Sequence, residues 1–141
     1  EGDEVTEPSL AMQAAIRARL VAASAVTSLV PAANILDRNK TPEVFPCILI
    51  GEGQTVPDEG LARRRHHVFA DLHIWATEPG LVVSKQIAGA VRDALADSFW
   101  NVTGLHVADL HIVSSRFIRD PGGLRSHGIV TLQASVSEVA P

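Results

Sequence analysis

The sequence has few of the residues on which disulfide-rich, metal-clustered and aromatic-lined proteins depend. Its single cysteine, Cys47, excludes an intrachain disulfide and a cysteine-based zinc cluster. Aromatic residues make up 4% of the chain and tyrosine is absent, so few rings are available to line a ligand pocket. The net charge of -4 disfavours a protein that grips nucleic acid through a basic field.

Long hydrophobic runs are also absent. No apolar stretch approaches the roughly 18 residues of a membrane span, and the acidic start does not have the pattern of a signal peptide. We therefore expect a soluble, unexported protein with no membrane partner. Its 141 residues, 46% of them hydrophobic, predict one globular domain over residues 8–141 after an acidic tail at residues 1–7.

Hydrophobic spacing predicts two main helices and four or five strands. Met12, Ile16 and Leu20 form one helical stripe after Pro8, and a second helix is expected from Leu81 to about Phe99. Apolar runs or alternation predict strands at 34–37, 47–50, 66–76, 105–118 and 128–139. The order lacks regular strand-helix-strand alternation. It therefore predicts an α+β fold, with a mainly antiparallel sheet of about four to five strands and two main helices packed on it.

Residues 51–65 are polar and glycine-rich, and the sequence predicts a long loop there. A connection of about 15 residues is longer than usual, which favours a functional segment that orders against a partner. The candidate contact residues in this segment are Gln54, Asp58, Glu59, Arg63, Arg64 and Arg65.

The strand predicted at residues 66–76 has two faces of different character. One face is aliphatic, whereas Phe69, Asp71, His73 and Trp75 alternate onto the other. Two large aromatic rings on a face that meets only water would be unusual. We therefore predict that these four residues contact protein.

Six histidines raise the question of a metal or catalytic site. Asp71 and His73 could touch, but two ligands do not make a metal site, and no HExxH motif is present. Cys47 lies in an apolar run, which is typical of an inert thiol, and no serine nucleophile motif or phosphate-binding loop occurs. The sequence thus predicts no catalytic, cofactor-binding or metal-binding residues and no enzyme. A small ligand- or metal-binding domain using the Asp71 and His73 face remains an alternative.

An ordered series of segments gives the chain a recognisable overall pattern. The segments are an alanine-rich helix at 10–16, ILD at 35–37, FPCILIGE at 45–52, ADLHIW at 70–75, IAGAV at 87–91, RDPGG at 119–123 and HGIV at 127–130. In this order and spacing, from about Pro8 to Glu138, the sequence resembles the tail-completion, or tail terminator, proteins of long-tailed phages and gene transfer agents.

The resemblance implies a structural protein of the particle's neck region, made in the cytoplasm of a bacterial host. It implies a ring, commonly of six subunits, that ends polymerisation of the tail tube at its head-proximal end. The implied partners are the major tail tube protein and the head-closure or connector protein. DNA would pass through the lumen without specific binding, and a head-closure (stopper) ring remains the nearest alternative.

Simple geometry agrees with a ring of six. A compact domain of this length has a radius of gyration of roughly 14 Å, and six touching spheres of that size leave a central hole of about 37 Å, wider than duplex DNA. Six chains at -4 each give -24, and an acidic lumen would repel a moving genome rather than retain it.

Overall fold

The computed structural model describes residues 7–37, 42–58, 60 and 64–139, so most of the predicted acidic tail lies outside the described residues. The elements, in chain order, are α1 (Pro8–Ala22), α2 (Ser24–Thr27), a short 3₁₀ turn (Ala32–Asn34), β1 (Ile35–Asp37), β2 (Cys47–Pro57), β3 (Arg65–Thr77), α3 (Val82–Leu95), β4 (Leu105–Arg119) and β5 (Arg125–Glu138).

The strands form one sheet in the order β1-β2-β3-β5-β4. β1 pairs with β2 in parallel, and the other three pairings are antiparallel. The predicted α+β fold with a mainly antiparallel sheet is therefore confirmed. A turn at residues 120–123 joins β4 to β5, with Gly123 at a φ of 73°, a conformation that favours glycine.

Both main helices pack on the same face of the sheet. The carboxylate of Glu7 accepts a hydrogen bond from the backbone N–H of Ser9 and caps α1. Met12, Ile16 and Leu20 are buried, as their spacing predicts. α1 and α3 enclose a core of small aliphatic side chains with β2, β3 and β5. No helix among the described residues is long and apolar enough to cross a membrane.

The second helix is shorter than predicted. α3 ends at Leu95, the last buried residue of its stripe, whereas the sequence predicted an end near Phe99. The exposed carboxylate of Asp97 instead accepts a hydrogen bond from the backbone N–H of Phe99, which is a local turn contact that competes with helix.

The predicted loop at residues 51–65 is wrong over much of its length. β2 continues to Pro57, and its residues 53–57 pair with residues 66–70 of β3. The glycines at 51 and 53 accompany a β-bulge rather than a loop, and the residues from 51 to 57 are exposed or half-buried, unlike the buried residues 47–50. Only the segment from 58 to 64 remains as the connection, of which 59 and 61–63 lie outside the described residues.

Candidate functional site

One face of the sheet carries none of the described helices, and we name it the open face. Residues of β3 and β5 that lie directly opposite each other share a face, and alternate positions on both strands are half-buried. Four cross-strand pairs form the centre of the open face: Phe69 with Gln133, Asp71 with Thr131, His73 with Ile129, and Trp75 with His127.

The open face is rich in histidine. Its strand register places five of the chain's six histidines there: His67, His73, His106, His111 and His127. Some of them pair with nearby acids, as His111 does with Asp109 at 2.7 Å between Nδ1 and Oδ2. The face is therefore polar and hydrogen-bonding, unlike the aliphatic face beneath the helices.

A stack of three rings lies near one end of the open face. The Trp75 and His127 rings lie parallel, with centroids 3.9 Å apart and an angle of 11° between their planes. The His73 ring also stacks on His127, with centroids 5.1 Å apart and an angle of 28° between the planes. His73 Nδ1 lies 2.9 Å from His127 Nε2, so one ring donates a hydrogen bond to the other. These contacts fix the orientation of the His73 ring.

A β-bulge in β2 brings a carboxylate to this ring. The pairing shifts between Ile50 and Gly53, so that Gly51 and Glu52 together oppose Asp71. Glu52 Oε1 lies 3.1 Å from His73 Nε2. A Cβ at Gly51 would lie 2.6 Å from Cδ2 and 2.7 Å from Nε2 of the His73 ring, so glycine makes room for the imidazole.

Asp71 completes a cluster of three potential ligands. Its Oδ1 accepts a hydrogen bond of 2.8 Å from the hydroxyl of Thr131. Glu52, Asp71 and His73 each offer one ligand atom, and these atoms lie within 4.8 Å of one another. From the sequence alone only Asp71 and His73 were expected to touch, because Glu52 falls within the predicted loop.

The electrostatic surroundings differ between the two groups that flank His73. The pKa of Glu52 lies below its usual value, because its own backbone N–H and then His73 stabilise the carboxylate. Burial, helped by the charges of His73 and Arg116 and opposed by Asp120, lowers the pKa of His127 to about 4. His127 is therefore a neutral ring at neutral pH.

This neutral histidine predicts a pH dependence of stability. Between pH 6.5 and about 4 the unfolded chain protonates His127 and the folded chain does not, so the free energy of unfolding should fall as the pH falls through this range. One pKa unit corresponds to about 1.4 kcal/mol, and partial exposure reduces the effect, so we expect a loss of about 1–2 kcal/mol.

The measurement is urea unfolding of metal-free protein at several pH values from 7 to 4.5. His127→Phe keeps a flat ring against Trp75 and should lose less stability over this range than the wild type. His106→Gln, at an exposed position of the same face, should behave like the wild type. If the free energy of unfolding fell equally with pH in the wild type and in His127→Phe, the prediction would be contradicted.

The structure brings some of the predicted contact residues together and separates others. Phe69, Asp71, His73 and Trp75 share the open face, and Gln54 lies on it opposite Phe69. Asp58, Arg64 and Arg65 lie at the β2–β3 hairpin, where the backbone N–H of Asp58 donates to the carbonyl of Arg65. Glu59 and Arg63 lie outside the described residues.

Cys47 is fully buried at the start of β2. Burial raises the pKa of its thiol to about 11. At neutral pH the thiol is therefore protonated, which agrees with the inert thiol predicted from its apolar run.

Comparison with solved structures identifies this fold in particles of the phage type. A chain of the virion of a native gene transfer agent particle superposes with a TM-score of 0.75 at 17% identity, covering 89% of this chain and 94% of that one. The gp17 protein of bacteriophage SPP1 superposes with a TM-score of 0.61 at 19% identity, covering 94% of this chain and 91% of that one. At these identities the likeness establishes the fold.

Comparison at the sequence level identifies the family. No curated protein sequence matches significantly. The family model for tail completion protein gp17, however, matches residues 14–137, which include α3, β1 to β4, the second half of α1 and all but the last residue of β5. The resemblance inferred from the segment order is confirmed, and the chain belongs to the tail completion protein gp17 family.

Proposed function

We propose that this protein is a tail terminator. Six copies form a ring at the head-proximal end of the tail tube, end its polymerisation and join the tail to the head connector. DNA passes through the lumen. The role needs recognition between proteins and no catalysis, so the protein works as a structural component of the particle.

The observation that carries the proposal is the open face of a sheet made of unusually long strands. β3 has 13 residues and extends about 43 Å at about 3.3 Å per residue. The four adjacent strands β2, β3, β5 and β4, each about 4.8 Å wide, cover a width of about 19 Å. The resulting area of roughly 800 Å² equals one side of a standard protein–protein interface.

The composition of the open face suits a subunit that folds alone before it assembles. Its residues are half-buried and polar, so exposing them in a monomer costs little. Phe69 and Trp75 supply aromatic area, which is enriched where proteins meet. Trp75 is already held by His127, so little entropy is lost when it enters a contact.

A second contact surface lies at the end of the sheet where β3 stops and β5 begins. The large apolar side chains of Val82, Ile118 and Leu124 are exposed there, Leu124 by 71%. The backbone N–H of Ser84 and the hydroxyl of Ser126 both donate hydrogen bonds to the carboxylate of Glu78, which keeps the start of α3 beside the start of β5. We assign the two ends of the sheet, this one and the opposite one with the β2–β3 hairpin, to the contacts with the tail tube and the connector.

The proposal is tested by the same substitution on two opposite faces. Gln133→Arg places a large charged side chain at the centre of the open face, whereas Gln86→Arg places it at an exposed position of α3. We expect Gln133→Arg to reduce assembly at least tenfold and Gln86→Arg to leave it unchanged. Native mass spectrometry of the concentrated protein should detect a ring of about 90 kDa from the 15.0 kDa chain. Electron microscopy of particles from a strain that lacks the protein and is complemented with each variant measures the length of the tails.

Each outcome distinguishes the proposal from an alternative. Overlong tails and tailless heads with Gln133→Arg support a terminator acting through the open face. Tails of normal length with heads that leak DNA would instead indicate a head-closure ring. Normal particles with both variants would show that the open face contacts no partner.

A further inference from the structure

We propose that Glu52, Asp71 and His73 form a binding site for one Zn²⁺ ion on the open face. The inference rests on the geometry of a single folded chain and not on the proposed ring. It can therefore be tested, and can fail, independently of the tail terminator function.

The donor set matches zinc in number and type. Zinc is bound by histidine nitrogen and by carboxylate oxygen at about 2.0–2.2 Å, and three protein ligands leave a fourth position for water. Calcium and magnesium prefer oxygen ligands alone. Around a tetrahedral ion the ligand atoms are about 3.4 Å apart. His73 Nε2 and Glu52 Oε1 are already 3.1 Å apart, and all three ligand atoms lie within 4.8 Å of one another.

The small adjustment required falls on the side chain that is free to move. Glu52 is 77% exposed, so its carboxylate can close on an ion without disturbing the core. The His73 side chain, by contrast, is 21% exposed and held by the ring stack. Two ligands are thus already positioned, and one closes from solvent.

The positioned ligands are held by neighbours, as metal ligands in proteins are. Asp71 uses Oδ1 to accept from the Thr131 hydroxyl, which leaves Oδ2 for an ion. His73 uses Nδ1 in its contact with His127, and its Nε2 faces Glu52 Oε1, so zinc would bind both atoms after displacing the proton between them. A histidine ligand almost always binds a partner through its second nitrogen, and ligating carboxylates are themselves hydrogen-bonded. Both partners, Thr131 and His127, come from β5.

The backbone of β2 is also shaped for the cluster. The bulge places Glu52 beside Asp71, and bulges occur often where a side chain is redirected at a functional site. Gly51 leaves the space that the His73 ring fills. The same face contains a pair that lacks these features: Asp109 and His111 touch at 2.7 Å, but both side chains are more than half exposed.

The experiment titrates ZnCl₂ into the chelator-treated, desalted full chain at pH 7.5 by calorimetry, and repeats it with Co²⁺ followed by visible absorption. We expect one ion per chain and a rise in melting temperature on zinc addition. Glu52→Gln, at an exposed position where the fold should persist, should weaken zinc binding about tenfold or more. Thr131→Val should weaken it by a similar factor, because it releases Asp71.

Asp109→Asn is the matched control on the same face. It should leave the zinc affinity of the chain unchanged, and Co²⁺ should give the absorption of a four-coordinate site in wild type but not in Glu52→Gln. Absence of binding at millimolar zinc would overturn the proposal. So would equal affinity in wild type and Glu52→Gln, or a loss of affinity in Asp109→Asn rather than in Glu52→Gln.

Discussion

Replacing Glu78 by alanine should lower the free energy of unfolding by about 2–4 kcal/mol. Glu78 is 9% exposed, and its carboxylate accepts hydrogen bonds from the backbone N–H groups of Val83 (3.0 Å) and Ser84 (2.9 Å) and from the hydroxyl of Ser126 (2.6 Å). Hydrogen bonds to a charged group contribute about 1.5–3 kcal/mol each, and the substitution leaves buried donors unpaired. The carboxylate also lies at the positive end of α3 and ties that helix to β5.

The contribution of Glu78 should depend on pH in a defined window. Burial by itself raises the pKa of this carboxyl group, but the hydrogen bonds from Ser126, Val83 and Ser84 together outweigh it, and the pKa lies below the usual 4.5. The stabilisation is therefore complete above about pH 4.5 and is lost as the pH falls through the lower, folded-state value. The stability difference between wild type and Glu78→Ala should shrink below pH 4.5.

Urea unfolding at pH 7 and in steps below pH 4.5 measures both effects. Asp97→Ala is the control, because Asp97 also accepts a hydrogen bond from a backbone N–H, that of Phe99, but in an exposed turn. It should cost less than about 1 kcal/mol. If both variants lost the same free energy of unfolding, the burial of the Glu78 carboxylate would add nothing to its stabilising effect.

The open face was predictable in outline because strand alternation is a local property. Phe69, Asp71, His73 and Trp75 follow one another at intervals of two residues, so the sequence alone assigned them to one face. Burial of the alternate residues Leu72 and Ile74 follows from the same period. Both the shared face and the burial of the alternate residues follow from β3 alone, whichever strand lies next to it.

The candidate metal cluster was not predictable, because it depends on strand register and on a bulge. Thr131 reaches Asp71 from 60 positions along the chain, and His127 reaches His73 from 54. Glu52 joins them only because one extra residue in β2 turns it towards Asp71. The available signal was the pair of glycines at 51 and 53, which is as typical of a bulge in a strand as of a loop.

Glu78 was missed for a related reason. It lies between a strand and a helix, where an acidic residue usually faces solvent. Its burial comes from Ser126, which the β3–β5 pairing brings alongside. A single glutamate five residues before a helical N–H has no distinctive local pattern.

Leu20→Ala should destabilise the folded chain by about 3–5 kcal/mol, the largest effect that we expect from a single substitution. Leu20 is completely buried at the C-terminal end of α1, in the core cluster that also contains Val26, Val30 and Ile87. Truncation removes a large apolar side chain and leaves a cavity that this packed environment cannot fill by small movements.

Leu10→Ala is the matched control for this substitution on the same helix. Leu10 is 57% exposed, so the same change should cost less than about 0.5 kcal/mol in urea unfolding. The pair also bears on assembly, because α1 lies on the face opposite the proposed contact. Leu10→Ala should therefore keep wild-type ring formation, whereas a loss of rings with this stable variant would move the subunit contact from the open face to the helices.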